Sequence, residues 1–167
     1  MDEKKRKPAK PGKEKPSAFG KTLDLLSRRE HSRRELATKL TQRGYARDEA
    51  ASAINAAVDA EYQSNERFAG SIARSRASGG YGPRRITAEL KSHGVADAEI
   101  AAALATLDVD WCDIARRQLE RHYGGKPPAD AKERMRRAAF LLRRGFDGAT
   151  VSALVRADTG DPGDGFD

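Results

Sequence analysis

The residues of this chain best able to do chemistry are three histidines, one cysteine and a lysine beside paired glycines. His31, His93 and His122 stand far apart, and none forms an HxxxH or HxxE pair. Metal or acid–base chemistry on a helix needs such groups three or four residues apart, where they share a face. Cys112 has no histidine near it in sequence, so it reads as a small thiol and not as a nucleophile. Gly124-Gly125-Lys126 matches only the last residues of a phosphate-binding loop. The earlier glycine is missing, and Pro127-Pro128 stand where a helix should begin. No two carboxylates are paired in an apolar context. The expectation is a non-enzyme with no cofactor and no metal site.

What remains is charge. The 167 residues carry 32 Lys+Arg against 25 Asp+Glu, a net +7, and the excess is unevenly spread. Arg33, Arg34, Lys39 and Arg43 form one cluster and Arg84, Arg85 and Lys91 a second. Lys132, Arg134, Arg136, Arg137, Arg143 and Arg144 form a third. Segment 116–144 has ten positives and three negatives, whereas 97–108 has no Lys or Arg at all. A patch of that size attracts polyanions or an acidic protein surface. Any single arginine is as well explained by a solvated helix face that packs its stem on a neighbour. As a set they point to an anionic partner. The candidate contacts are Arg74, Arg76, Arg84 and Arg85 in the middle of the chain, and Arg136, Arg137, Arg143 and Arg144 near its close.

The clusters recur because the chain repeats. Gly44, Gly94 and Gly145 are 50 and 51 residues apart, each with a leucine four before it: Leu40, Leu90 and Leu141. Tyr45, Val95 and Phe146 follow directly. Ala50, Ile100 and Val151 come six after each glycine, and Ile54, Leu104 and Val155 ten after. Those offsets share one helical face. Eight before the glycine stand Leu36 and Ile86 but then Arg137, so the third unit diverges, as terminal repeats often do.

Each glycine reads as a helix stop, taking a left-handed backbone without a Cβ penalty. Ser32-Arg33-Arg34-Glu35 reads as a capping box, and Pro83 after Gly82 as a first-turn proline. Asp147 is placed to cap the last helix. Ala46 and Ala96 cannot cap, which leaves Asp48 and Asp97 for those starts. Phe19, Leu23 and Leu26, then Phe68 and Ile72, then Trp111, Ile114, Ala115 and Leu119 mark a further helix before each pair. The predicted helices are 18–30, 32–43 and 46–61, then 65–78, 83–93 and 97–107, then 110–123, 131–144 and 147–157. Nothing alternates with period two, so no strand is predicted.

Leu, Ile, Val and Phe total only 27 residues, against 28 alanines. So little bulk suggests thin helical layers instead of one thick core. The fold expected is all-α: tandem three-helix repeats forming an elongated, curved, solenoid-like body. Repeats are placed at 18–62, 63–108 and 109–157. A basic arm at 1–17 and an acidic tail at 158–167 read as disordered. No apolar run reaches the length of a membrane span. The first seventeen residues lack the apolar stretch of a secretory signal, and a lone cysteine fits a reducing cytoplasm. A cytoplasmic monomer is expected.

A three-helix unit with glycine in its turn also invites helix-turn-helix DNA binding. That motif sends the helix after the turn into the major groove. Here those helices offer Asp48, Glu49, Asp97 and Glu99, which repel phosphate. Sequence-specific operator binding is not expected. A nonspecific DNA-binding architectural protein, meeting single- or double-stranded DNA, is the alternative reading. Tyr45, Phe68, Trp111, Phe140 and Phe146 fall on apolar faces and read as core, not as a base-stacking platform.

The strings LLSRREHSRRELATKLTQRGY, ERFAGSIARSRASGGYGPRRITAELKSHGV and RRAAFLLRRGFDGATVSALV resemble the bacterial regulatory protein RecX family. The similarity runs over about 20–156 and includes neither terminal segment. Its most specific part combines Arg74, Arg76, Gly79, Tyr81, Gly82, Pro83, Arg84, Arg85 and Ile86 with the closing LLRRGF at 141–146. The resemblance implies tandem three-helix repeats. It also implies a modulator, mostly an inhibitor, of the RecA recombinase. Such a protein would lie in the groove of the RecA filament on single-stranded DNA and lower its ATPase and strand-exchange activity. DNA repair, recombination and the SOS response would be affected. The family carries no strict catalytic signature.

Overall fold

The structure, a computed structural model, describes residues 15–157. The acidic segment 158–167 and residues 1–14 of the basic arm lie outside the described residues. Nine helices and no strand occur among the described residues, in three consecutive units. The first holds α1 (Ala18–Leu26), α2 (Arg33–Gln42) and α3 (Arg47–Asp59). The second holds α4 (Asn65–Ser78), α5 (Pro83–Ser92) and α6 (Asp97–Ala105), and the third α7 (Trp111–Tyr123), α8 (Ala131–Arg144) and α9 (Gly148–Ala157). The helices expected from the pattern are all present, and tandem three-helix repeats are the architecture.

The glycine register has one physical cause, repeated three times. Gly44, Gly94 and Gly145 adopt φ of +77°, +74° and +91°, the left-handed region. The next residue then turns its N–H back to the repeated leucine. Tyr45 donates to Leu40 O, Val95 to Leu90 O and Phe146 to Leu141 O, each at 3.2 Å. The same three leucines are fully buried, and Tyr45, Val95 and Phe146 are buried beside them. One leucine thus anchors both the hydrogen bond that ends the helix and the apolar contact that holds the turn.

Helix starts follow local chemistry, in part differently from expectation. The Ser32 hydroxyl accepts from Glu35 N–H at 3.0 Å, and Asp147 accepts from Thr150 N–H at 2.7 Å. At Ala96 the rescuer is Glu99, whose carboxylate accepts from Ala96 N–H at 2.9 Å, while Asp97 pairs with Lys91 at 2.9 Å. Ala46 has no side-chain cap. Ser17, Ser64 and Asp110 cap the opening helices of the three units. Helix α1 stops at Leu26, four residues short of the predicted end. Ser27 closes it by donating to the Asp24 carbonyl at 2.9 Å, and the chain then turns to carry His31 and Ser32 inside. Of the predicted disordered arm, 15–17 are held in place: Lys15 donates to Gly44 O, and Pro16 O accepts from Tyr45 Oη.

Each unit has its own small core. Leu36, Leu40 and Ile54 centre the first, Phe68, Ile86 and Leu90 the second, and Leu119, Leu141 and Phe146 the third. Trp111 and Ile114 of α7 pack against both the second and third cores. Arg137 occupies the place of Leu36 and Ile86 and is only 3% exposed. Its guanidinium pairs with Glu133 at 2.8 Å and lies over the Tyr123 ring.

Candidate partner-binding surface

The segment that carries most of the family resemblance, 74–86, builds the joint between the second and third units. Gly82 N–H donates to Arg144 O at 2.8 Å, and Arg84 N–H donates to Gly145 O at 3.0 Å. The amide end of α5 therefore caps the carbonyl end of α8, two helix termini of opposite partial charge. The approach is so close that a Cβ on Gly82 would collide with the Gly145 backbone. Arg144 reaches back across the joint and donates to the Gly79 and Gly80 carbonyls at 3.3 and 3.1 Å. Both Arg144 and Arg85 lie over the Tyr81 ring.

The eight arginines singled out by sequence thus divide. Arg137 is buried inside the third unit. Arg144 fastens the joint. Arg76 makes two bonds to the Glu89 carboxylate, at 2.7 and 2.6 Å, which hold that carboxyl below its ordinary value. Arg85 packs on Tyr81, with a long bond of 3.5 Å to Arg143 O. Arg74, Arg84, Arg136 and Arg143 are exposed, and among the described residues their side chains make no ion pair or hydrogen bond.

A cleft of about 460 Å³ opens beside the joint, between α4 and α7. Arg74 lines it from the second unit, and Arg117 and Arg121 line it from the third, over an apolar floor that includes Ala77, Leu107 and Ile114. Arg117 is held by Asp113 at 2.5 Å, whereas Arg121 has no such partner among the described residues. Arg74 also borders a second hollow, with Arg67, toward Glu30 of the first unit. Planar guanidinium forks over an apolar floor suit an extended chain bearing carboxylates or phosphates. Sequence reading missed Arg117 and Arg121. Their i, i+4 spacing was the available signal, but no local rule places that face opposite Arg74.

No group of three His, Cys, Asp or Glu able to hold a metal occurs among the described residues. None of the described helices is long and apolar enough to cross a membrane. His31 is buried, and its Nδ1 lies 3.0 Å from the Glu35 carboxylate, an i, i+4 pair.

Family models for the first, second and third three-helix domains of RecX match residues 18–55, 64–104 and 108–155. The chain belongs to the RecX family. The regulatory protein RecX of Xanthomonas axonopodis pv. citri (strain 306) is 43% identical over 141 residues, 84% of this chain and 87% of that protein. That of Stenotrophomonas maltophilia (strain K279a) is also 43% identical, with 84% and 86% covered. The crystal structure of RecX from Lactobacillus salivarius superposes with a TM-score of 0.70 at 19% identity, covering 86% of this chain and 96% of that one. A second RecX crystal structure gives 0.72 at 19% identity, with 84% and 71% covered. In RecX terms, the amide-to-carbonyl joint and the arginine cleft both lie between the second and third domains.

Proposed function

We propose that this RecX-family chain binds the RecA recombinase filament on single-stranded DNA and lowers its ATP hydrolysis and strand exchange. It thereby tunes recombination, DNA repair and the SOS response in the cytoplasm. One observation carries the reading: unengaged arginines stand on successive domains that a backbone joint holds together. Arg74 and Arg84 are on the second domain and Arg121, Arg136 and Arg143 on the third. A row of domains presenting cations at intervals suits a polymer whose subunits repeat. Two weak contacts on one stiff body gain on the order of 10²–10⁴ over either alone. The chain acts by occupying the filament and hydrolyses no nucleotide itself.

The test is steady-state RecA ATPase on single-stranded DNA, titrated with wild-type protein and with Arg74→Glu/Arg136→Glu. The wild type inhibits, and the variant, folded by circular dichroism, inhibits at least about tenfold less well. Wild-type protein that neither binds the filament nor slows its ATPase rejects the reading. Equal inhibition by the folded variant rejects these two contacts.

A further inference from the structure

A small hollow of about 200 Å³ lies where α9 passes α7. Leu154 lines it together with Arg116 and Leu119 of α7, Lys126 of the following linker and Arg137 of α8. One turn beyond Leu154, α9 ends at Ala157, and the sequence continues DTGDPGDGFD over 158–167. This segment carries four aspartates and no cation. It follows a helix whose Leu154 borders Arg116 and Lys126, within the 116–144 stretch of ten cations and three acids. Among the described residues Arg121, Lys126, Lys132, Arg134 and Arg136 make no ion pair or side-chain hydrogen bond. At the hollow itself Arg116 is paired with Asp113, Arg137 with Glu133, and Glu120 adds one negative charge, so the cations beyond these pairs are what the anionic segment complements.

We propose that segment 158–167 is the built-in occupant of that face. It docks from the Leu154 hollow across Arg116 and Lys126, and so competes with any polyanionic partner. Reach is sufficient. Ten residues span up to about 33 Å, and Arg116 and Lys126 border the same hollow as Leu154, one turn from the end of α9. The aspartates are evenly placed. Asp158, Asp161, Asp164 and Asp167 recur at every third position, so no stretch of the segment longer than two residues lacks a carboxylate. Tethering supplies an effective concentration in the millimolar range for a short linker. That suffices for weak, salt-sensitive pairs to fill the site and yield it to a longer polyanion. Phe166 is the segment's single large apolar group, matched in kind to the Leu119 and Leu154 wall.

The inference holds whatever the partner is, so its test leaves the recombinase out. Full-length wild type is compared with D158N/D161N/D164N/D167N, which keeps the length and removes the charge. In isotope-labelled protein, backbone amide shifts change at 116–137 and stay constant at 33–60. Binding of a labelled oligothymidine at low salt tightens on the order of tenfold in the variant. Shifts that are absent, or spread evenly over all three units, overturn docking in favour of a bulk charge effect. Altered shifts at 116–137 with equal oligonucleotide affinity overturn competition.

Discussion

Arg137 shows how one position can hold either a hydrophobe or a buried ion. It fills the place taken by Leu36 and Ile86 in the other units, with Glu133 paired to its guanidinium and the Tyr123 ring against it. Removing one partner of a buried pair leaves the other unpaired, and only replacing the pair as a whole by apolar side chains of similar volume is often neutral or better. Arg137→Ala therefore lowers stability by up to about 3 kcal/mol, while Arg137→Leu, which refills the volume but still leaves Glu133 unpaired, loses less. Urea melts of both variants check this, and equal losses would refute it. His31 gives a pH signature. Burial holds its imidazole below the ordinary value of 6.5, against the opposing pull of the Glu35 carboxylate. A folded value below the unfolded one means that the fold excludes the proton. Stability is then full above about pH 6.5 and declines as pH falls through it. Urea midpoints near pH 7.5 and 5.5 should show this decline in the wild type and less of it in His31→Gln. An equal decline in both would assign it to other groups.

At the scale of the element, helix ends carry the specificity of this fold. Gly82 places the amide end of α5 on the carbonyl end of α8, where a side chain has no room. Gly82→Ala forces the two termini apart and costs about 1–3 kcal/mol, the usual penalty for overpacking. Hydrogen exchange reads it directly. The Arg84 amide, bonded to Gly145 O in the wild type, loses protection in the variant, while amides within α2 and α3 keep theirs. Uniform loss across all three units would mean global destabilisation instead. The repeated leucine–glycine stops were legible because they follow from contacts within six residues. The joint was not, because Gly82 and Gly145 are far apart in sequence and meet only when two units pack.

Across the whole molecule, three small cores in a row leave much of the charge on the surface with no internal partner. Direct binding to DNA, if present, would then rest on phosphate contacts and not on base edges, since α3 and α6 open with Asp48, Glu49, Asp97 and Glu99. Affinity for an oligothymidine should fall at least about tenfold between 50 and 200 mM salt, the behaviour of a few phosphate contacts. Anisotropy titrations over that range check it. A preferred duplex sequence that survives high salt would instead support groove reading by one of the three-helix units.

The sequence by itself determined the class, the number of repeats and almost every helix boundary. Those depend on backbone preferences, capping and apolar period, which act over a few residues. It also marked the arginine-rich segments and, through their wording, the family. Only the tertiary structure decided what each arginine does. Arg137 turned inward, Arg144 and Arg76 became fastenings, and Arg117 and Arg121 came to face Arg74 across a cleft. A guanidinium on a flexible stem has the same local propensity in all these roles. Its role is set by which acceptors or rings lie within reach, and those arrive from other helices.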